Sequence, residues 1–223
     1  AARWWIHGEA RPGLRTGVSG LRRFLVTPEV SRHRVFTWLD SAYLADHKTR
    51  AFTREDDYFL GVLHSRVHEC WSLAVGAQLR ERESGFSYTP TTCFETFPFP
   101  HPTPDQEAAI GDAARELDEL RERWLNPPEW TRTEVLEFPG TVGGPWTRFI
   151  AEEAGDRLSV VGCRVPENRT PKTENPPRIG TVRYPRLVAK DAECAKKLKA
   201  RTLTNLYNER PTWLDLAHQK LDA

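Results

Sequence analysis

The chain has 223 residues, of which 39% are hydrophobic and 28% charged, so it can bury a core and is not expected to be disordered. No stretch approaches the roughly eighteen consecutive apolar residues of a membrane-spanning helix, which excludes that class and leaves the cytoplasm as the expected location. The formal net charge of +1 favours neither nucleic acid nor any other partner.

The distribution of charge along the chain is more informative than its sum. Residues 1–50 carry nine Lys or Arg against four acids, whereas residues 101–130 carry three Arg against eight acids. A basic N-terminal part can face phosphates while an acidic helix faces elsewhere. Ordinary solvated charge on two surfaces explains the same pattern equally well.

The first predicted elements are a hairpin and a long helix. The segments "RFLVT" (23–27) and "HRVFTWL" (33–39) are rich in β-branched and aromatic residues, and Pro28 lies in the connection between them. The segment 53–80 then predicts one amphipathic helix, because Leu60, Leu63, Val67 and Ala74 recur at helical spacing.

A proline-rich run and a second helix follow. Four prolines between 86 and 102 exclude a helix there, and we interpret Phe94, Phe97 and Phe99 in this run as core packing between two domains. Thr103 and Gln106 then form a capping box that begins a helix, and the "NPP" after Leu125 ends it.

The remaining chain predicts loops and short helices. Residues 130–189 are expected to be irregular, with one hairpin at 157–165, and helices are expected from Asp191 and from Pro211. The whole predicts an α+β protein in which β-hairpins pack on a long helix in residues 1–102. Residues 103–223 form a mostly helical, loop-rich domain with an irregular insert at 151–178. The absence of methionine and the uncapped final helix suggest that the chain is a fragment of a longer protein.

The stretch "LNPPEW" (125–130) resembles the Asn-Pro-Pro-aromatic turn of DNA amino-methyltransferases. Here a charged helix precedes the turn instead of a strand, and Glu129 occupies the position of the ring that stacks on the flipped base. No Gly-x-Gly loop for S-adenosylmethionine occurs either. We therefore interpret the stretch as a helix stop and predict no catalytic residue and no cofactor site in this chain.

Metal and hydrolase chemistry have only weak signals. His64 and His68 share a helix face but lack the internal Glu of a zinc protease, and Asp46-His47-Lys48 is a lone nuclease-like tripeptide. The four scattered cysteines favour free thiols over a zinc site. No metal site is predicted, and an independent metalloenzyme remains the least favoured of three hypotheses.

Three long motifs, "DDYFLGVLHSRVHECW", "YTPTTCFETFPFP" and "RTLTNLYNERPTWLDLAHQKLD", closely resemble the C-terminal part of MmeI-like bacterial adenine-specific DNA methyltransferases. These are single-chain type II restriction–modification enzymes or stand-alone methylases. The resemblance implies that residues 1–102 are the C-terminal portion of a target recognition domain and 103–223 a C-terminal domain. It also implies that the S-adenosylmethionine-binding catalytic domain lies upstream, that double-stranded DNA is the partner, and that the chain is part of an enzyme without being one by itself.

The turn after the first long helix carries the predicted base contacts. Reading a base edge needs donors and acceptors held on a rigid scaffold, and relatives place acidic and arginine residues in this helix-to-strand segment. The candidates in this sequence are Arg80, Arg82 and Glu83, with Glu81, Ser87 and Tyr88 as further members. A solvated charged loop is the competing interpretation.

The predicted phosphate contacts are cations near the hairpin: Arg32, His33, Arg34, Lys48 and Arg50. The first hypothesis is therefore a sequence-specific duplex-DNA module that orients an adenine-N6 methyltransferase domain. The second is a protein–protein scaffold that uses the acidic helix 104–125 to dock the methyltransferase or a nuclease domain. The sequence indicates neither the recognised bases nor whether the parent enzyme also cleaves DNA.

Overall fold

The computed structural model describes residues 11–78, 85–153 and 178–223. They form two compact units, one made of residues up to Trp130 together with Asp191–Ala223, the other of Thr131–Lys190. Helices and small antiparallel sheets both contribute, so the predicted α+β class is confirmed. The division predicted at residue 102 falls inside the first unit, where elements from both sides of it share one core.

The first unit contains most of the helices and six short strands. In chain order they are α1 (Pro12–Gly17), β1 (Arg23–Pro28), β2 (Val30–Ser31), β3 (Thr37–Asp40), β4 (Thr49–Phe52), α2 (Asp57–His64), α3 (Arg66–Val75), β5 (Ala77–Gln78), β6 (Phe86–Ser87), α4 (Pro104–Leu125), α5 (Ala192–Lys199), α6 (Leu203–Glu209) and α7 (Thr212–Leu221). Among the described residues, no helix is long and apolar enough to cross a membrane.

The predicted hairpin is confirmed, with a shorter second strand. Strand β1 is central in the sheet β3-β1-β4, and Leu25 pairs with Trp38. Strand β3 begins at Thr37 instead of His33, because the Phe36 amide donates to the buried ring of His64 at 3.0 Å and not to a neighbouring strand.

The prediction of one helix over 53–80 was wrong, because the chain breaks at Ser65. Ser65 has extended backbone (φ −63°, ψ 150°), and its hydroxyl accepts from the His68 amide at 3.2 Å, which begins α3 as a new helix. The break changes the phase of the apolar stripe. As a result α3 buries His68 and Ser72, while Val67 is 70% exposed.

Helix α4 begins at the predicted capping box and ends where the prolines predicted. Thr103 caps the Gln106 amide, and the Gln106 side chain accepts from the Thr103 amide at 2.9 Å. Leu117 is fully buried in the main core. Helices α2 and α4 approach closely at Gly61, where a Cβ atom would lie 2.6 Å from Ile110 Cγ2.

The proline-rich run contains one helical turn that was not predicted. Pro90–Phe94 form a π-helical turn, which Pro90 tolerates because a first-turn residue needs no amide hydrogen. Phe97 is buried, and Phe94 and Phe99 pack against the main core. These rings pack in the core of the first unit as predicted, although both flanking segments belong to the same unit.

The second unit corrects the prediction that residues 130–189 are irregular. Strands β7 (Thr131–Thr141) and β9 (Ile179–Ala189) pair over their whole length, and β8 (Ile150–Glu153) adds to β9. Pro139 and Pro185 are tolerated because β7 is an edge strand and β8 pairs with β9 only at Gly180–Val182. The hairpin predicted at 157–165, and most of the insert, lie outside the described residues.

A buried arginine joins three parts of the first unit. Arg121 of α4 is 1% exposed and donates to Nε2 of His64 at 2.9 Å and to the Phe36 carbonyl at 3.0 Å. It also forms an ion pair with Asp118 at 3.0 Å. Burial lowers the pKa of His64 well below its ordinary value, so the ring is neutral and its Nε2 can accept a hydrogen bond from the Arg121 guanidinium.

Arg121→Met is expected to destabilise the chain by about 3–5 kcal/mol, because it leaves buried acceptors without a donor. Urea unfolding measures this free energy. Arg123→Met on the exposed side of the same helix is the matched control and is expected to change stability by about 0.5 kcal/mol or less. Equal effects of the two substitutions would contradict the assigned role of Arg121.

Stability is expected to fall as the pH is lowered from 6.5 towards 4. Burial lowers the pKa of His68 to about 4 and that of His218 to about 4, whereas the ordinary value is 6.5. In this window the unfolded chain takes up protons that the folded chain does not, so protonation favours unfolding. Each such histidine costs up to roughly 3 kcal/mol at the low end.

Unfolding in urea at pH 7, 5.5 and 4.5 measures this loss. His68→Gln removes the titrating ring but can still bond the Leu63 carbonyl and the Tyr88 hydroxyl, the two partners of His68. The variant is expected to lose less stability than the wild type between pH 7 and 4.5. An identical pH dependence in both proteins would show that His68 is not responsible.

Candidate nucleic-acid interface

The turn predicted to read bases joins two paired strands. Strands β5 and β6 are antiparallel, with Gln78 opposite Phe86, and β6 also pairs with β2 through Val30 and Ser87. The candidates Arg80, Glu81, Arg82 and Glu83 lie between these strands, outside the described residues. Their roles stay predictions, but both ends of the turn are fixed to one small sheet, β2-β6-β5.

Gly85, the residue just before β6, packs against the Ser31–Arg32 backbone. Its φ is +84°, and a Cβ atom there would lie 2.2 Å from the Ser31 carbonyl oxygen and 2.5 Å from the Arg32 nitrogen. Only glycine fits both the backbone conformation and the space. Gly85 and the predicted phosphate-contact residue Arg32 are therefore neighbours in the structure.

Arg32 and Lys48 fit the predicted role in phosphate binding. Both side chains are exposed, and neither makes an ion pair with a described residue. Lys48 is linked to the residue before β2, because its carbonyl accepts from the Glu29 amide at 2.7 Å. Arg50 is half-buried and its guanidinium bonds Glu29 at 2.7 Å, so its charge is largely balanced within the protein.

The prediction that Arg34 contacts phosphate was wrong. Its side chain is buried and donates to Oγ1 of Thr27 at 3.1 Å, to the Phe86 carbonyl at 3.0 Å and to the Pro28 carbonyl. Burial lowers the pKa of Arg34 to about 10, so the guanidinium remains charged at neutral pH. Arg34 therefore joins β1 to β6 instead of facing solvent.

The prediction that Tyr88 reads bases was also wrong. Tyr88 is fully buried in the main core, its hydroxyl bonds His68 at 3.1 Å, and burial raises the pKa of the phenol. Ser87, the residue before it, is half-buried in β6 and stays a candidate. The alternation of strand residues between the two faces of a sheet explains why adjacent positions differ.

One neighbour of this surface was missed from the sequence. His33 Nε2 donates to Oδ1 of Asn208 on α6 at 2.8 Å, across 175 positions of sequence. Leu203 and Thr204, also of α6, line a cavity of about 230 Å³ together with His33 and Ser31. No local pattern signals this contact, because it depends on the packing of α6 against the β2–β3 connection.

The weaker motifs have structural explanations. His64 and His68 are buried in the core, each bonded to protein groups, and no group of three or more His, Cys, Asp or Glu within the described ranges could hold a metal ion. In "LNPPEW", the Asn126 amide bonds the Glu122 carbonyl at 2.8 Å and the Trp130 amide bonds the Pro127 carbonyl at 2.9 Å. The interpretation of this stretch as a helix stop is confirmed.

Comparison with known proteins gives the class of this domain. Residues 21–101 match the family model described as MmeI, target recognition domain. A 65-residue stretch, 29% of this chain and 7% of the relative, is 35% identical to DNA methyltransferase A of Bacillus subtilis (strain 168). The resemblance predicted from the sequence motifs is thereby confirmed, and residues 21–101 are similar to an MmeI-type target recognition domain.

The fold is also similar to one solved structure, the Type IIL restriction-modification enzyme MmeI in complex with DNA. The TM-score is 0.51 at 20% identity, and the match covers 91% of this chain and 18% of that chain. At this identity the likeness shows the fold alone. The chain spans only a small part of the length of both relatives, 7% and 18%.

Gly85→Ala is expected to destabilise the chain by at least about 2 kcal/mol more than Gly20→Ala. Gly20 has a similar φ of +88° but nothing within 4 Å of an added Cβ, so it reports the backbone strain alone. Urea unfolding of both variants separates strain from the clash with Ser31. If the two glycines proved equally replaceable, the close approach of Gly85 to the Ser31 backbone would not matter for stability.

Proposed function

We propose that this chain is the DNA-recognition part of an MmeI-like restriction–modification enzyme. It binds a specific double-stranded DNA sequence and orients an S-adenosylmethionine-dependent adenine-N6 methyltransferase domain located elsewhere in the same polypeptide. The observation that carries the proposal is the family match over residues 21–101, a segment that includes the predicted base-reading turn and Arg32. The parent enzyme acts in the cytoplasm.

The geometry around the turn supports base readout. The strands β5 and β6 that flank the predicted turn are paired, and Gly85 packs against the Ser31–Arg32 backbone, so these flanking residues form a fixed platform of the kind that precise readout needs. Arg80 and Arg82 offer paired donors for guanine, and Glu83 offers an acceptor for the cytosine amine. Exposed Arg32 and Lys48 beside this platform supply charge for phosphates without sequence preference.

The catalytic chemistry is assigned to another part of the polypeptide. In this chain the Asn-Pro-Pro stretch follows a helix and ends in a turn next to Trp130. The Asn126 side chain is not presented to a cavity built for a base, because its Nδ2 donates to Oε2 of Glu122 at 3.1 Å. Calorimetric titration of this chain with S-adenosylmethionine is expected to give no binding. Tight cofactor binding would contradict this assignment.

Substitution of the turn tests base readout in the full-length parent enzyme. Arg80→Gln/Arg82→Gln and, separately, Glu83→Gln are expected to change or relax the methylated sequence, because each paired base contact contributes about 1–3 kcal/mol of discrimination. Modified-base sequencing of DNA methylated by each variant reads the result. Arg54→Gln is the control, since Arg54 is engaged by Asp56 at 2.8 Å.

The scaffold hypothesis makes the opposite prediction for the same variants. If the domain only docks the methyltransferase or nuclease domain, the methylated sequence stays unchanged while stability or total activity falls. The acidic surface of α4 is the feature that favours this alternative, although two of its acids, Asp112 and Asp118, already pair with arginines of the same helix. An unaltered methylated sequence in both turn variants would favour the scaffold.

A further inference from the structure

Helix α6 extends the proposed DNA-binding surface towards the C-terminus. Besides the bond between His33 and Asn208, the rings of His33 and Tyr207 lie 6.0 Å apart. Leu206, which precedes these two residues in α6, is fully buried and fixes the helix in the main core. Because Arg32 is adjacent to His33 and exposed, α6 forms one edge of the surface that carries Arg32.

Helix α5 is held in a fixed position relative to α6. The Arg201 amide bonds the Leu198 carbonyl at 3.0 Å, and the Asn205 side chain donates to the Ala200 carbonyl at 2.8 Å, so the corner between the helices is closed by hydrogen bonds. The Arg201 guanidinium lies 4.3 Å from the ring centre of Trp124 and 4.9 Å from that of Trp130. These cation–π contacts anchor the corner to the end of α4.

Two lysines of α5 face solvent without an ionic partner among the described residues. Lys196 and Lys199 are three positions apart and therefore lie on the same side of the helix, whereas Cys194 is buried on the opposite side. The neighbouring Lys197 differs, because it bonds Glu193 at 2.8 Å and lies over the ring of Trp130. Lys196 and Lys199 thus provide two positive charges that the protein does not neutralise.

We propose that α5 is a second DNA-backbone contact, in which Lys196 and Lys199 bind phosphates of the duplex that the target recognition domain reads. The inference rests on the proposed function. It adds to DNA binding a surface that lies about a hundred residues further along the sequence than the family match, which ends at residue 101. Charge complementarity identifies the ligand as a polyanion, and the connection through α6 to His33 and Arg32 identifies it as that duplex. Phosphate contacts of this kind add affinity and orientation without sequence preference.

The test is the salt dependence of DNA binding by the full-length enzyme. Binding to a duplex with the recognised sequence and to an unrelated duplex is measured between about 50 and 200 mM salt. Lys196→Gln/Lys199→Gln is expected to reduce the slope of log affinity against log salt by about 2 and to weaken both duplexes by the same factor. The methylated sequence is expected to stay unchanged.

Two further variants make the result decisive. Lys196→Arg/Lys199→Arg keeps both charges and is expected to show the wild-type slope. A folding defect caused by substitution at these two positions would instead lower binding in the arginine variant as well. Lys220→Gln removes a lysine that is already paired with Glu116 and is expected to leave the slope unchanged.

A slope that is unaltered in the glutamine variant, a failure of the arginine variant to restore it, or an altered methylated sequence would each overturn the proposal. These outcomes differ from failure of the proposed function, which would appear as absence of duplex binding by the wild-type enzyme.

Discussion

The first unit depends on one buried charge. Burial by itself lowers the pKa of Arg121, but the neighbouring Tyr207 and Asp118 outweigh it and raise the pKa, so the guanidinium is charged inside the core. A buried charge is tolerated when it is paired and hydrogen-bonded, and here the two terminal nitrogens of the guanidinium find partners on α2, on the chain just before β3 and on α4 itself. The position of α4 is thereby tied to Phe36, three residues after His33, and so to the turn that carries Arg32.

The hydrogen bonds of Arg121 complement an apolar core whose contacts have little directional preference. Leu25, Leu60, Leu117 and Leu214 meet in the same cluster, although they come from a strand and three helices spread over the chain. Apolar contacts of this kind allow a helix to shift or rotate, whereas hydrogen bonds from one guanidinium require a particular register. The helices of this cluster are therefore fixed in position as well as packed.

The sequence predicted those elements whose signals are local. The capping box and the terminal prolines define α4 within a few residues of its true ends, and the β1–β3 hairpin follows from residue type and a proline in its connection. The break at Ser65 was missed because a serine can either continue a helix or cap a new one, and the choice depends on tertiary packing. The full-length pairing of β7 with β9 was missed because the partners are separated by the long insert.

The site was harder to predict than the fold. Arg34 and Tyr88 have the side chains that DNA recognition uses, yet both are buried and hydrogen-bonded to groups inside the protein, and burial cannot be inferred from residue type. Arg32 and Lys48 are exposed as expected, and neither makes an ion pair with another described residue. Asn208 carried no signal at all, because its contact with His33 is made only when α6 packs on the other end of the chain.

The second unit begins and ends close to one pair of residues. Thr131 and Ala189 are paired residues of β7 and β9, so the two ends of the unit are direct neighbours across the ladder. Adding residues to a loop far from these paired ends costs little conformational entropy, because the contacts that close the loop are already made. A change in the number of residues between β8 and β9 is therefore expected to cost little free energy in the pairing of β7 with β9.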